Sequence, residues 1–220
     1  VTIDVASGSG PYILDLDLNH ISGNSHANSI TLNGNGVTIN KGVTDYFLAL
    51  EGIKNMTIND FKFVNPSASE DMKGILMRNL CDSIFITNNL IHVGTNTNAS
   101  NTGCIIASGI LANIESVGNN VSNLFILNNE LIGGEYSISL NGKSSSERSE
   151  NVLISNNTIR DFYEKGVAVV NIDKVEIDNN DVNRIERENV GEFWGLYISQ
   201  SDELDITGNK IHHSNRHSSR

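Results

Sequence analysis

A nine-residue phrase recurs along the chain and constrains its fold more than any other feature. The clearest copy, residues 151–159, is Asn-Val-Leu-Ile-Ser-Asn-Asn-Thr-Ile. Successive copies start 23–29 residues apart, except for one interval of 40 residues. A short phrase repeated at such intervals predicts a solenoid in which each repeat forms one coil. The other copies start at Asn28, Asn55, Ser83, Asn123, Lys174 and Glu203.

Each repeat follows the same order of elements. The phrase begins with a strand that alternates apolar and polar residues, turns at the Asn-Asn pair and continues into a second short strand. A loop of variable length, usually ending in glycine, leads to a third strand such as residues 167–170. This order predicts an all-β fold, a single-stranded right-handed parallel β-helix (solenoid) of about seven coils. We expect residues 28–220 to form the coils and residues 1–27 to form an N-terminal lead-in or cap strand.

The second Asn of the pair occupies the same place in most coils. Stacked amide side chains can bond to each other and to the turn backbone, so the repeat predicts an asparagine ladder. Phe61 replaces the Asn in one coil. The predicted ladder residues are Asn35, Asn89, Asn129, Asn157, Asn180 and Asn209.

The last repeat lacks its third strand, because the chain ends at Arg220. An uncovered solenoid end exposes strand edges. Two interpretations stay open: the chain is a truncated part of a longer β-helix, or a partner covers this end.

The charge and the hydropathy of the chain disfavour two kinds of partner, nucleic acid and the membrane interior. The net charge of −11 disfavours nucleic acid, because phosphate binding needs clustered Lys and Arg. The longest apolar runs are much shorter than the about 18 residues that a membrane span needs. Cys81 and Cys104 fall at different places in the repeat, so we expect two buried thiols rather than a disulfide or a metal pair.

The phrase, its asparagine ladder and the following Gly-Ile-x-Ile strand resemble the right-handed parallel β-helix superfamily of pectate lyases and related carbohydrate-active proteins. The resemblance covers residues 28–211. It implies a secreted or cell-surface protein that acts on a polysaccharide, lyase-like or glycosidase-like, although no signal peptide is visible. The Asn-Thr-Asp, Asp-Asp, His-Gly and Arg-x-Lys motifs of polygalacturonases are missing, and no lyase signature is recognisable, so no single family is specified.

Two loops that depart from the repeat carry the candidate site. Trp194 and Tyr197 offer an aromatic platform for a sugar ring. Lys165 and Arg184 could neutralise a uronate carboxylate and so acidify its C5 proton, with one of them or Tyr163 as the base. Lys165 and Trp194 both precede the strand glycine in successive coils, so we expect them to be stacked neighbours.

Carboxylates in the same loops suggest a second chemistry. Glu164 and Glu192 are expected to bind substrate, and Glu164, Glu186 and Glu192 could instead serve acid–base hydrolysis. The other interpretation is an ion-paired, solvated edge. This chemistry requires no cofactor. Calcium stays open as a cofactor, but no cluster of three carboxylates appears on the strand face, so no metal ligand is assigned.

A competing function follows from an apolar column assigned to the outer side of the third strands. Such a patch is typical of docking or assembly, with a protein partner or with further coils. It favours a non-catalytic adhesin or structural module that binds a glycan or a protein. The residues of this column are Leu48, Leu50, Leu76 and Ile105.

Overall fold

The structure is a computed structural model that describes residues 1–21, 25, 27–67, 71–95 and 100–212. Over these residues the chain forms 21 strands and no helix, and the named strands pair in parallel in two sheets. The sheets stack into a β-solenoid of about seven turns. The predicted all-β parallel β-helix is therefore confirmed.

The larger sheet holds the first and second strands of the phrase. Its strands are β1 (Thr2–Asp4), β2 (Tyr12–Ile13), β4 (Ile30–Asn40), β6 (Lys54–Val64), β8 (Cys81–Thr87), β9 (Leu90–His92), β11 (Val121–Leu127), β12 (Glu130–Ile132), β14 (Ser149–Ser155), β15 (Thr158–Arg160), β17 (Ile172–Asp178), β18 (Asp181–Asn183), β20 (Leu204–Thr207) and β21 (Lys210–His212). In β4 and β6 the two strands of the phrase run together as one strand of 11 residues.

The smaller sheet consists of the third strands of the coils. These are β3 (Leu16–Asn19), β5 (Tyr46–Glu51), β7 (Lys73–Arg78), β10 (Gly103–Ala107), β13 (Tyr136–Asn141), β16 (Lys165–Val170) and β19 (Trp194–Ser199). Residues 2–19 supply β1, β2 and β3, which pair with β4 and β5 and so continue both sheets at the N-terminal end.

The phrase places left-handed backbone at two fixed positions. Its first residue has a φ between 49° and 65° in six copies, including Asn55, Ser83 and Asn151. The first Asn of the pair is also left-handed, with a φ of 56° at Asn156. Asn adopts this conformation more readily than most residues, which explains why the turn uses it.

The second Asn of the pair forms the predicted ladder from Asn89 to Asn209. Each amide oxygen accepts a hydrogen bond from the backbone N–H of the Asn one coil earlier, at 2.9 Å throughout. Phe61, at the ladder position of the preceding coil, donates its backbone N–H to Asn89 Oδ1 at 2.9 Å. Asn35 lies apart and donates instead to the carbonyl of Val5. The ladder therefore ties each coil to the next from Phe61 to Asn209.

The core runs along the solenoid axis, and it corrects part of the apolar column. Leu48, Leu50 and Ile105 face inward, with at most 2% of their surface exposed. The strands pair Leu48 with Ile75 and Ile75 with Ile105, whereas the outward positions belong to the next residue along the chain. The alternation predicted from sequence was offset by one residue in these strands, so it placed the three side chains on the wrong face of the sheet.

Leu76 does face outward, but it is covered. A long excursion, residues 109–122, places Ile114 over the outer side of the smaller sheet, against Leu76, Ile106, Tyr136 and Ala168. The carbonyl of Ile114 accepts hydrogen bonds from Ser139 Oγ and Asn141 Nδ2, both at 2.7 Å. The excursion is thus pinned to the sheet.

Candidate functional site

The outer face of the smaller sheet stacks the candidate residues in successive coils. Tyr136 pairs with Lys165 and Lys165 pairs with Trp194, so the expected stacking of Lys165 and Trp194 is confirmed. Each of the latter two precedes a glycine. A Cβ at Gly166 would lie 2.7 Å from the carbonyl oxygen of Gly195, so only glycine allows this close approach of coils.

Lys165 lies at the centre of a cluster of polar side chains. The residue is only 8% exposed, and its Nζ donates to the hydroxyl of Tyr136. The same Nζ lies 3.3 Å from Glu115 Oε1 and 3.2 Å from Glu164 Oε1. It also lies 5.0 Å from the centre of the Tyr197 ring, which is a cation–π distance. The cation is therefore already paired within the protein.

Glu115 enters this cluster from the excursion. Its Oε1 accepts a hydrogen bond of 2.8 Å from the Tyr136 hydroxyl, and its side chain is 58% exposed. Burial, followed by the hydrogen bond to Glu115, raises the pKa of Tyr136. This phenol therefore stays protonated and serves as a donor.

Glu135 is a further carboxylate, immediately before Tyr136. It is half-buried, and its Oε2 accepts a hydrogen bond of 2.8 Å from the backbone N–H of Asn101. Burial raises the pKa of Glu135, and the negative charges of Glu164 and Glu115 raise it further. We call Lys165, Tyr136, Glu115, Glu135 and Glu164 the Lys165 cluster.

An aromatic pair lies beside this cluster. The ring of Trp194 is 44% exposed and meets the ring of Tyr197 edge-on, with centroids 5.9 Å apart and an interplanar angle of 88°. Trp194 Nε1 donates to Glu192 Oε2 at 3.1 Å, which orients the indole. The structure thus brings together four of the seven residues proposed from sequence around Lys165 and Trp194, namely Glu164, Lys165, Trp194 and Tyr197, with Glu192 at the edge.

Arg184 and Tyr163 lie apart from that surface. Arg184 is 2% exposed and donates to the carbonyls of Tyr163, Gly191 and Glu192. Its guanidinium lies 5.2 Å from the ring of Phe193, and burial lowers its pKa. The arrangement makes Arg184 the internal support of the 184–194 loop, which carries Glu192 and Trp194.

Tyr163 packs inside the same loop region. Its carbonyl accepts a hydrogen bond of 3.0 Å from the N–H of Gly191. The guanidinium of Arg187 lies 5.3 Å from the centre of its ring. A Cβ at Gly191 would lie 2.8 Å from that ring, so the loop folds tightly over it. These contacts give Tyr163 a packing role next to the platform.

Sequence reasoning missed Glu115, Glu135 and Tyr136. Coil alignment contained a signal for two of them, because Glu135 and Tyr136 occupy the positions that Glu164 and Lys165 occupy one coil later, at the start of the third strand. Glu115 lies in the excursion, where the repeat provides no register, so its contact with Lys165 follows only from three-dimensional structure.

The part of the chain that the structure describes holds neither a metal-binding cluster nor a membrane-spanning helix. No group of three or more His, Cys, Asp or Glu side chains there has the arrangement of a metal site. None of the described elements is a helix of the length and hydropathy that crossing a bilayer requires.

The fold places the protein in the class of parallel β-solenoids. No protein-family model matches the chain, and no curated protein matches its sequence.

Proposed function

We propose that the protein is a carbohydrate-active β-solenoid that binds a polysaccharide on the outer face of its smaller sheet. One observation carries this proposal: the half-exposed ring of Trp194, set at right angles to Tyr197 and bordered by the Lys165 cluster. A sugar ring has apolar C–H faces and a rim of hydroxyls. An exposed indole stacks on such a face, and carboxylates accept hydrogen bonds from the hydroxyls of the rim.

The neighbours of Trp194 supply those rim contacts. Glu192 is exposed and already holds the indole N–H, and Glu164 is 29% exposed beside Lys165. Buried supports keep these groups in place, because Arg184 fixes the loop that carries Glu192 and Trp194. A site with a rigid platform loses little conformational entropy on binding.

A polymer as ligand implies an extracellular setting. Intact polysaccharides lie outside most cells, so we propose that this protein is secreted or displayed at the cell surface. The resemblance of the repeat to pectate-lyase-like β-helices supports the same setting.

The competing proposal, a non-catalytic module that docks a protein through an apolar column, has less support. Three of the four residues that suggested it, Leu48, Leu50 and Ile105, lie in the core. The fourth, Leu76, is covered by the excursion.

The test of glycan binding is Trp194→Ala. Affinity electrophoresis against a panel of neutral and uronic-acid polysaccharides should show at least one ligand for the wild type, and Trp194→Ala should weaken its Kd by about tenfold, or roughly 1.4 kcal/mol. Tyr12→Ala is a matched control, because Tyr12 is 43% exposed at the other end of the solenoid.

Tyr12→Ala should retain wild-type retardation. Lack of retardation of the folded wild type by every polymer would refute the proposed function. Equal retardation of wild type and Trp194→Ala would show that the site is misplaced.

A further inference from the structure

Resting on the proposed function, we propose that this site hydrolyses a neutral polysaccharide, with Glu135 as the proton donor and Glu164 as the carboxylate that activates water. This inference narrows both the substrate class and the reaction. It also replaces the uronate chemistry that the lysine and arginine pattern suggested.

The first argument is charge. Lys165 is the cation in contact with Glu115 and Glu164, and Glu135 adds a third carboxylate within the electrostatic range of both. Even with Glu135 protonated, the carboxylates of Glu115 and Glu164 outnumber the single positive charge of Lys165. A uronate carboxylate near these groups would therefore be repelled more strongly than it is attracted.

The second argument is that, among the residues that the structure describes, the two cations assigned to bind a uronate already have partners within the protein. A lyase needs a positive group on the substrate carboxylate to acidify the C5 proton. Arg184 is buried against backbone carbonyls, and Lys165 is 8% exposed with two carboxylates and a phenol as partners. Both cations are thus occupied by the protein itself.

The third argument is the position of Glu135. The N–H of Asn101 donates to one of its oxygens, and we assign the transferable proton to the other oxygen. The side chain is half-buried, with Glu164 and Glu115 as like-charged neighbours, and these features raise its pKa. Two carboxyl groups in different environments are the acid and base pair that glycoside hydrolysis requires.

The remaining members of the Lys165 cluster position these groups. Lys165 lies 3.2 Å from Glu164 and holds its carboxylate beside the strand edge. Tyr136 donates to Glu115 and accepts from Lys165, so it links the excursion to the sheet. The backbone N–H of Glu164 donates to the carbonyl of Glu135 at 2.9 Å, so the two reacting residues lie side by side in successive coils.

The reaction is written with water as the only co-reactant. The glycosidic bond between C1 and the bridging oxygen breaks as Glu135 gives its proton to that oxygen, which leaves as a hydroxyl. A water oxygen bonds to C1 while its proton passes to Glu164. Return of that proton through solvent to Glu135 restores the enzyme, and no oxidant or reductant is needed.

The experiment uses Glu135→Gln in the full chain, because Gln keeps an oxygen to accept from Asn101. Wild-type protein should release new reducing ends from a neutral polymer that it binds, without unsaturated products. We expect Glu135→Gln to lower kcat by about 10²- to 10⁴-fold with a Kd within about twofold of wild type. Glu150→Gln is the control, because Glu150 pairs with Lys174 on the larger sheet, and it should retain full activity.

The outcomes separate this inference from the proposed function. Binding without any new reducing ends from the wild type, or products with an unsaturated sugar, would overturn hydrolysis but leave glycan binding intact. Unchanged kcat in a folded Glu135→Gln protein would overturn the role of Glu135. Loss of all polysaccharide binding in the wild type would refute the proposed function itself.

Discussion

At the scale of single residues, Asp15 shows how one carboxylate organises a loop. Its oxygens accept hydrogen bonds from the backbone N–H groups of Gly42, Val43 and Thr44. Burial works to raise its pKa, but the three N–H groups outweigh this effect, and the pKa of Asp15 lies below its ordinary value. The loop between β4 and β5 therefore depends on an ionised side chain in the preceding coil.

This dependence predicts a pH effect on stability. The pKa of Asp15 is lower in the folded state than in the unfolded state, so its contribution is present above the unfolded pKa of about 4 and is lost as pH falls through the folded pKa. Asp15→Ala should lower the free energy of unfolding by about 1 kcal/mol near neutral pH, as the loss of a capping carboxylate does. Urea denaturation at a series of pH values measures the difference between the two proteins.

Asp17→Ala is the control for Asp15→Ala. It removes the same charge two residues further along the chain, where Asp17 accepts a single long hydrogen bond, of 3.3 Å from the Tyr46 hydroxyl, among the described residues. It should cost clearly less than Asp15→Ala. A stability difference for Asp15→Ala that stays constant as the solution is acidified would contradict the charged bonds described above.

The candidate site shows how far residue-level prediction reaches. The stacking of Lys165 and Trp194 was predicted correctly, because a glycine of the repeat follows each of them and fixes their positions in the coil. Arg184 and Tyr163 lie in two loops outside the repeat, and sequence alone could not tell that the Arg184 guanidinium bonds to backbone carbonyls or that Gly191 lies against the Tyr163 ring. Glu115 comes from 50 residues before Lys165, so its contact depends on the path of the excursion.

At the scale of elements, the asparagine ladder holds the turns of the larger sheet together. Asn157 is 1% exposed and sits in the middle of it. Its amide oxygen accepts from the backbone and side chain of Asn129, and its amide nitrogen donates to Ile126, Ser155 and Asn180. One side chain thus satisfies polar groups in three successive coils, and all of these groups belong to buried residues.

Removal of this side chain should therefore be costly. Asn157→Ala leaves several buried donors and acceptors without partners, at about 1–3 kcal/mol for each group that finds no water. We expect a loss of about 3 kcal/mol or more in the free energy of unfolding, measured by chemical denaturation. Asn156→Gly, one residue earlier, keeps the left-handed backbone and removes an exposed amide, so it should cost less than about 1 kcal/mol. Similar losses in both variants would show that the ladder bonds add little.

The accuracy of strand prediction depended on whether the sequence indicated which residues of a strand face the core. The first and second strands follow the phrase directly, and their positions were found. In the third strands, Cys104 and Ile105 are both buried, and the pairing with the neighbouring strand passes from Gly103 to Ile105. This break in alternation has no marker in the sequence. A one-residue offset was enough to turn Leu48, Leu50 and Ile105 from core into surface.

At the scale of the whole molecule, the fold was the most predictable property, because the coils repeat the same sequence phrase. Each coil contacts mainly the coils before and after it, so agreement among successive copies of the phrase specifies the stack. Function has no such redundancy. The proposed site combines one row of the repeat with the excursion and the 184–194 loop, and both of these elements occur once.

Nearest-neighbour stacking leads to a prediction about the two cysteines. Cys81 and Cys104 are free thiols, as expected from sequence, and they lie in β8 and β10 of one middle coil with at most 1% of their surface exposed. Burial raises the pKa of the Cys104 thiol to about 12 and also raises that of Cys81, so the reactive thiolate is scarce near pH 8.

In native buffer neither thiol should react with an aromatic disulfide reagent over hours, whereas both should react together when denaturant unfolds the middle coils. Ser145→Cys introduces an exposed thiol into the same protein and should react within minutes, which checks the reagent. In a stack, the terminal coils have a neighbour on one side only, so they should separate first. Reaction of Cys81 or Cys104 at denaturant concentrations that leave the sheet content unchanged would contradict this order, because it would mean that a middle coil opens by itself.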